Sequence, residues 1–190
     1  MNATALQGGF ATPAHDSARA FRATLDALAR PGTIQTVAGA QPPAPLSVAA
    51  GVLILTLTDG TTPVHLAGAW DCADVRDWIT FQTGAPLVGP ADAAFAVGAW
   101  NDLAPLDRFA IGTPDYPDRS ATLIVECDAL QAQGAQLTGS GIKDSARLSL
   151  PDAARVFAAN HALFPLGLDF FFTAGDRLAG LPRSTKVEDN

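Results

Sequence analysis

The 190-residue chain has a net charge of −7, with 12 cationic side chains against 48% apolar residues. A chain of this length buries roughly 70% of its unfolded surface as one domain, so a single domain over residues 1–190 is expected. Nucleic acid is excluded as a partner, because a phosphate backbone demands clustered Lys and Arg. Here the only lysines are Lys143 and Lys186, and the ten arginines are dispersed.

Cys72 and Cys127 stand alone, with no C-x-x-C pair, which fits a reducing cytoplasm better than a disulfide framework. The first charged side chain is Asp16, so no basic leader is expected. The longest uncharged apolar stretch, Leu46 to Leu57, is too short to cross a hydrocarbon core of ~30 Å and reads as a buried core helix or a helix-strand unit. No membrane contact is expected.

In chain order, Met1 to Pro13 has no period and reads as a loose arm. Asp16 or Ser17 then reads as a helix N-cap, with Phe21, Leu25 and Leu28 on one face. Arg30-Pro31-Gly32 stops that helix, since proline lacks the next donor and glycine tolerates the reversal. Thr33 to Val37 reads as a short strand. A proline-rich connector, Gln41 to Pro45, precedes a helix capped by Ser47 and closed at Asp59-Gly60. Pro63 to Ala67 reads as a strand. Asp71 reads as the cap of a third helix, whose face Val75, Trp78, Ile79 and Gln82 runs to Gly84.

Ala93 to Val97 and Thr122 to Cys127 read as apolar strands, separated by a Pro/Asp/Gly-rich loop from Asn101 to Arg119. Ala135 to Thr138 and Ala146 to Leu150 flank Gly139-Ser140-Gly141. A helix is expected over Asp152 to Leu163, with Ala153, Val156, Phe157 and Asn160 on one face. The chain then runs Phe164-Pro165-Leu166-Gly167-Leu168-Asp169-Phe170-Phe171-Phe172-Thr173-Ala174, turns at Gly175-Asp176, and continues Arg177-Leu178-Ala179-Gly180-Leu181. Gly-Asp between two apolar runs is a two-residue hairpin signal. Interleaved strands and helices followed by strands imply a mixed sheet covered by helices.

Few side chains offer chemistry. His15, His65 and His161 form no H-E-x-x-H and no ligand pair, so no metal site is expected. Gly139-Ser140-Gly141-Ile142-Lys143 is neither a nucleophile elbow nor a Walker loop. A hairpin connection explains it most simply, with a backbone anion nest as the alternative. Two candidate anion-binding segments remain. Arg30 and Gly32 lie at a helix end, where a cation also complements the dipole. Arg183, Ser184 and Thr185 combine a guanidinium fork with hydroxyls, the groups that hold a carboxylate or phosphate; the alternative is a polar tail that guards a sheet edge. No catalytic residues emerge.

Three ordered segments carry a family resemblance: Asp16-Ser17-Ala18-Arg19-Ala20-Phe21-Arg22 through Leu28-Ala29-Arg30-Pro31-Gly32; Leu137-Thr138-Gly139-Ser140-Gly141-Ile142; and Phe164 to Asp169 with Gly175-Asp176-Arg177-Leu178 and Leu181-Pro182-Arg183-Ser184-Thr185. Together they resemble the PhnH family, the H subunits of the phosphonate carbon–phosphorus lyase system. The resemblance implies a three-layer α/β/α domain on a mixed sheet, like the pyridoxal-phosphate-dependent transferases but without a cofactor. It also implies an accessory subunit, working with sister subunits that displace adenine from ATP with an alkylphosphonate to give a ribose 1-alkylphosphonate 5-triphosphate. An iron–sulfur cluster is implied for a sister subunit, and two lone cysteines here cannot hold four irons. The expected states are a homodimer in isolation and a complex in the cytoplasm. The rival readings are a free-standing enzyme of the pyridoxal-phosphate fold and a sensor that binds nucleotide or phosphonate.

Overall fold

A computed structural model describes residues 6–151 and 154–188. Its helices are α1 (Pro13–Ala29), α2 (Val48–Leu57), α3 (Ala73–Thr83), α4 (Trp100–Leu103) and α5 (Ala154–Ala162). Its strands are β1 (Gln35–Thr36), β2 (Val64–Leu66), β3 (Phe95–Ala99), β4 (Thr122–Glu126), β5 (Ala135–Thr138), β6 (Ala146–Leu148), β7 (Asp169–Ala174), β8 (Arg177–Leu181) and β9 (Lys186–Glu188). The main sheet has the order β1-β8-β7-β4-β3-β2. β2, β3, β4 and β7 are parallel, whereas β8 runs antiparallel to both β7 and β1. A second antiparallel sheet has the order β6-β5-β9. The chain is therefore α/β with a mixed sheet.

Side-chain alternation divides the core. Val97, Ile124, Phe171 and Leu178 point to the face covered by α1, α2 and α3. Ala96, Leu123, Val125, Phe170, Phe172 and Ala179 point to the other face, with Leu103 of α4, Phe157 of α5 and Leu137, Leu148 and Val187 of the small sheet. Successive residues of a strand face opposite sides, so a strand buried on both faces reads as an unbroken apolar run. The run Phe170-Phe171-Phe172 is the clearest case. Its two outer rings join Trp100 and Phe157, with centroids 5.1 Å apart between Trp100 and Phe157 and 5.3 Å between Phe157 and Phe170. One outer layer is thus helical and the other mixes helix with sheet, where three segregated α/β/α layers are implied by the resemblance.

Several local expectations hold. Ser47 caps α2, its Oγ accepting the Ala50 N–H at 3.1 Å, and α2 is buried from Ala49 to Ile54 because it is apolar all round. Gly84 ends α3 in the left-handed region at φ 71°. The Gly175-Asp176 turn joins β7 to β8, pairing Ala174 with Arg177.

Others are corrected. α1 begins at Pro13, four residues before Ser17, and its N-cap is Thr12, whose N–H donates to the Asp16 carboxylate at 2.8 Å. The buried stripe of α1 is Ala20, Thr24 and Ala27, while Phe21 and Leu25 are 53% and 56% exposed. Small residues face inward because β8 approaches closely: a side chain on Gly180 would strike the Ala27 backbone. Asp71 does not cap α3; Cys72 holds that position and Asp71 pairs with Arg76. The Asn101–Arg119 segment contains α4, a 3-10 turn over Leu106–Arg108 and a bridge from Ile111 to Ser120. Residues 1–5 of the expected loose arm lie outside the described residues, but the next ones are held. Trp78 Nε1 donates to the Gln7 carbonyl at 2.9 Å, Gln82 Nε2 to the Leu6 carbonyl at 2.9 Å, and the Gln41 N–H to the Gly8 carbonyl at 2.8 Å. Asp152 and Ala153 of the last expected helix also lie outside the described residues. Of its expected face, Phe157 and Asn160 are buried and Val156 is 40% exposed.

The resemblance-bearing segments meet. A Cβ on Gly141 would overlap the Ala29 carbonyl oxygen and touch Pro31, and Gly139 lies against Ser184 and Thr185. The Gly139-Ser140-Gly141 turn is therefore wedged between the end of α1 and the segment leading into β9. Gly141 has φ 80°, so Gly141→Ala adds left-handed strain to a backbone clash. This variant is expected to lose at least ~2 kcal/mol of stability in urea unfolding, whereas Ser140→Ala changes it by less than about 0.5 kcal/mol.

Candidate functional site

Of the expected anion-binding residues, the helix end with Arg30 and the Ser184-Thr185 segment lie on either side of the Gly139-Ser140-Gly141 turn, while the Arg183 fork is turned to Asp169. Arg30 is the C-cap of α1, with its side chain exposed and its carbonyl accepting from Thr33 N–H and Oγ1 at 3.1 and 2.7 Å. Gly32 has φ 88° and lies against the Ala146 methyl. Ser184 is half-buried; Thr185 is buried, and its Oγ1 has no hydrogen-bond partner.

Arg183 works as an internal clamp. Its Nε and Nη2 donate to the Asp169 carboxylate at 3.1 and 2.6 Å, and its backbone N–H adds a third bond to Asp169 at 2.8 Å. Nη1 donates to the Pro117 and Pro165 carbonyls at 2.9 and 3.3 Å, and Nη2 also donates to Ser120 Oγ. All five N–H groups of the fork are engaged within the chain, so none is left for an added oxyanion in this arrangement. The clamp ties the start of β7 to the segment before β4, at the N-terminal edge of the parallel strands.

At the opposite edge, a cleft of about 480 Å³ opens beyond the ends of β3, β4 and β7. Ligands of open α/β sheets characteristically bind outside the carboxyl ends of the strands. Trp70, Trp100, Asn101, Glu126, Cys127 and Asp128 line it, together with Ser47 at the start of α2. Trp100 enters on α4, immediately after β3, and its ring is held against Phe157 and Phe170.

Glu126 organises the floor. It is only 9% exposed, its Oε1 accepts the Ser47 N–H at 2.8 Å and its Oε2 accepts the Thr173 hydroxyl at 2.9 Å. One carboxylate thus joins β4, β7 and the N-terminus of α2. Burial pushes its pKa above the ordinary 4.5, opposed by the Ser47 N–H and hydroxyl, Thr173 and, last, Trp70. The Trp70 indole is close enough to act on the carboxylate, yet its buried Nε1 has no hydrogen-bond partner of normal geometry. The adjacent Cys127 thiol is pushed up to about 11 by burial and by Glu126 and Asp128, so it stays protonated and unreactive at neutral pH.

Sequence reasoning identified Ser47 as a cap but missed the cleft. The one available signal was Glu126, a carboxylate directly ending the apolar run Thr122–Val125. Among the described residues, no three His, Cys, Asp or Glu side chains gather as a metal-binding group. No helix there is long and apolar enough to cross a membrane.

The family described as bacterial phosphonate metabolism protein (PhnH) matches residues 8–188. The chain belongs to the PhnH family. It is 43% identical over 192 residues to the alpha-D-ribose 1-methylphosphonate 5-triphosphate synthase subunit PhnH of Rhizobium meliloti (strain 1021), covering 95% of this chain and 94% of that protein. In this PhnH-family chain, the segments that carried the resemblance form the glycine-wedged junction and the Arg183 clamp, whereas the cleft draws on them only through Gly175.

Two outcomes are expected. Arg183→Ala leaves Asp169 partly buried with a backbone N–H but no cation, and should cost about 2–4 kcal/mol in chemical denaturation, with Arg183→Lys intermediate because an ammonium cannot reproduce the fork. A raised carboxylate pKa means that the folded state holds the proton more tightly. The Glu126 contribution to stability is therefore fullest below 4.5 and falls as pH rises through the raised value. Thermal melts from pH 4 to 8 should show Glu126→Gln gaining on the parent as pH rises; a constant difference between the two would refute this assignment.

Proposed function

We propose that this chain is an accessory subunit of a ribose 1-alkylphosphonate 5-triphosphate synthase assembly in alkylphosphonate catabolism. It acts as a packing partner for sister subunits and holds no reactive group of its own. The observation that carries this reading is its 43% identity, over 95% of its length, to a subunit of such a synthase.

Surface chemistry supports it. Phe21 and Leu25 form an exposed apolar stripe on α1, continued by Ala14 and Ala18 at helical spacing. On the opposite outer layer, Val156, Leu163 and Phe164 are 40%, 45% and 60% exposed around α5. Grouped large apolar side chains on both outer layers are a signature of association surfaces. We read the chain as a homodimer in isolation and as cytoplasmic in the complex.

The mixed sheet, covered on both faces, supports kinship with the pyridoxal-phosphate-dependent transferase fold. Lys143 and Lys186 are both exposed, and neither lines the cleft at the strand ends, which supports a member without a Schiff base. Incubation with pyridoxal phosphate is expected to give no new absorbance band.

Co-purification with tagged sister subunits is the direct test, and the chain is expected to elute with them. A Phe21→Asp/Leu25→Asp double variant should keep its circular dichroism and melting temperature while its association, with itself or with a sister subunit, weakens at least tenfold. A parent chain that remains alone and monomeric at micromolar concentration, with sister subunits present, would sink the proposal.

A further inference from the structure

Glu126 is nine-tenths buried and forms no ion pair: among the described residues the salt bridges are Arg76–Asp71 and Arg183–Asp169. The Ser47 N–H and the Thr173 hydroxyl reach its two oxygens and the Ser47 hydroxyl and Trp70 indole lie close to them, but none of these donors carries a charge. A buried carboxylate is normally paired with a cation. Here no Lys, Arg or His faces it, and the group lines an open cleft.

The rest of the cleft has the same polarity. Asp128 adds a second carboxylate at the exposed rim beside the Asn101 amide, and none of the lining residues is Lys, Arg or His. The walls include two indoles, Trp70 and Trp100, the side chains whose faces best attract a cation.

An anion finds little opening there. The N-terminus of α2 would be its natural anchor, but most of its donors are engaged: the Ser47 N–H by Glu126, the Ala49 N–H by the Gly175 carbonyl at 2.8 Å, the Ala50 N–H by Ser47 Oγ and the Gly51 N–H by the Ser47 carbonyl at 2.9 Å, which leaves the single Val48 N–H. Glu126 itself occupies the position that a phosphate or phosphonate would need.

We propose that the cleft formed by Glu126, Asp128, Trp70 and Trp100 is a binding site for a small organic ammonium cation. The ammonium supplies the countercharge that Glu126 lacks, and its alkyl part lies against the indoles. A volume of about 480 Å³ suits a small ligand. The site goes beyond the subunit role: it gives an otherwise non-catalytic packing partner a ligand of its own, opposite in charge to a phosphonate.

The test is intrinsic tryptophan fluorescence of the purified full chain, titrated in parallel with tetramethylammonium, ethylammonium, adenine, inorganic phosphate and methylphosphonate at low ionic strength. Saturable quenching by an ammonium is expected, weakened about tenfold by Asp128→Asn and by added salt. Asp128 is exposed, so that variant should fold as the parent does. Glu126→Gln should weaken binding at least as much, with its fold verified by the pH melts. Saturation by phosphate or methylphosphonate would overturn the proposal. So would adenine binding that is indifferent to Asp128→Asn, or no saturable ammonium response up to about 50 mM. Sister-subunit co-purification is measured separately, so loss of the cation site and loss of the subunit reading give different results.

Discussion

Phe170, Phe171 and Phe172 of β7 hold two cores on opposite sides of one strand. Phe171 is the contribution of β7 to the layer of α1, α2 and α3; its neighbours belong to the layer of α4, α5 and the small sheet. β7 lies between β4 and β8, parallel to one and antiparallel to the other, so its register sets that of both halves of the sheet. A one-residue slip would exchange the faces of all three rings at once. The clamp at its start and the cleft at its end are consequences of where this strand lies.

The two edges of the sheet serve different purposes. At the N-terminal edge, Asp169 and Arg183 satisfy one another and the carbonyls around them, which consumes polar capacity to fix geometry. At the C-terminal edge, Glu126 also fixes geometry, joining three elements, but among the described residues no cation faces it. A buried ion pair completed within the chain has little to offer a ligand, whereas an incomplete one retains an unmet electrostatic demand. This difference, more than the presence of charged residues, separates the structural site from the candidate binding site.

Membership of the PhnH family and two exposed apolar patches on opposite layers fit together physically. Leu25 and Phe164 cost less when another chain covers them than when water does. The inward face of α1 could be made of Ala20, Thr24 and Ala27 because β8 brings Gly180 against the helix backbone. Close packing with small residues then leaves the large ones, Phe21 and Leu25, for the outside. The same helix is therefore tightly packed within the subunit and apolar on its outer face.

Much of the local structure was written in the chain. Ser47 before an apolar run, Gly84 after one, Gly175-Asp176 between two and the Arg30-Pro31-Gly32 stop act through backbone conformation and nearest neighbours, so adjacent residues suffice to read them. What periodicity could not settle was direction: Phe21 and Leu25 share a helical face, but only the approach of β8 decides that this face looks outward. Nor could spacing show that Arg183 would find Asp169, Pro117 and Ser120, or that Glu126 would reach Ser47, 79 residues away along the chain. Those outcomes depend on which side chains the folded sheet brings within hydrogen-bond distance, and sequence separation carries no measure of that.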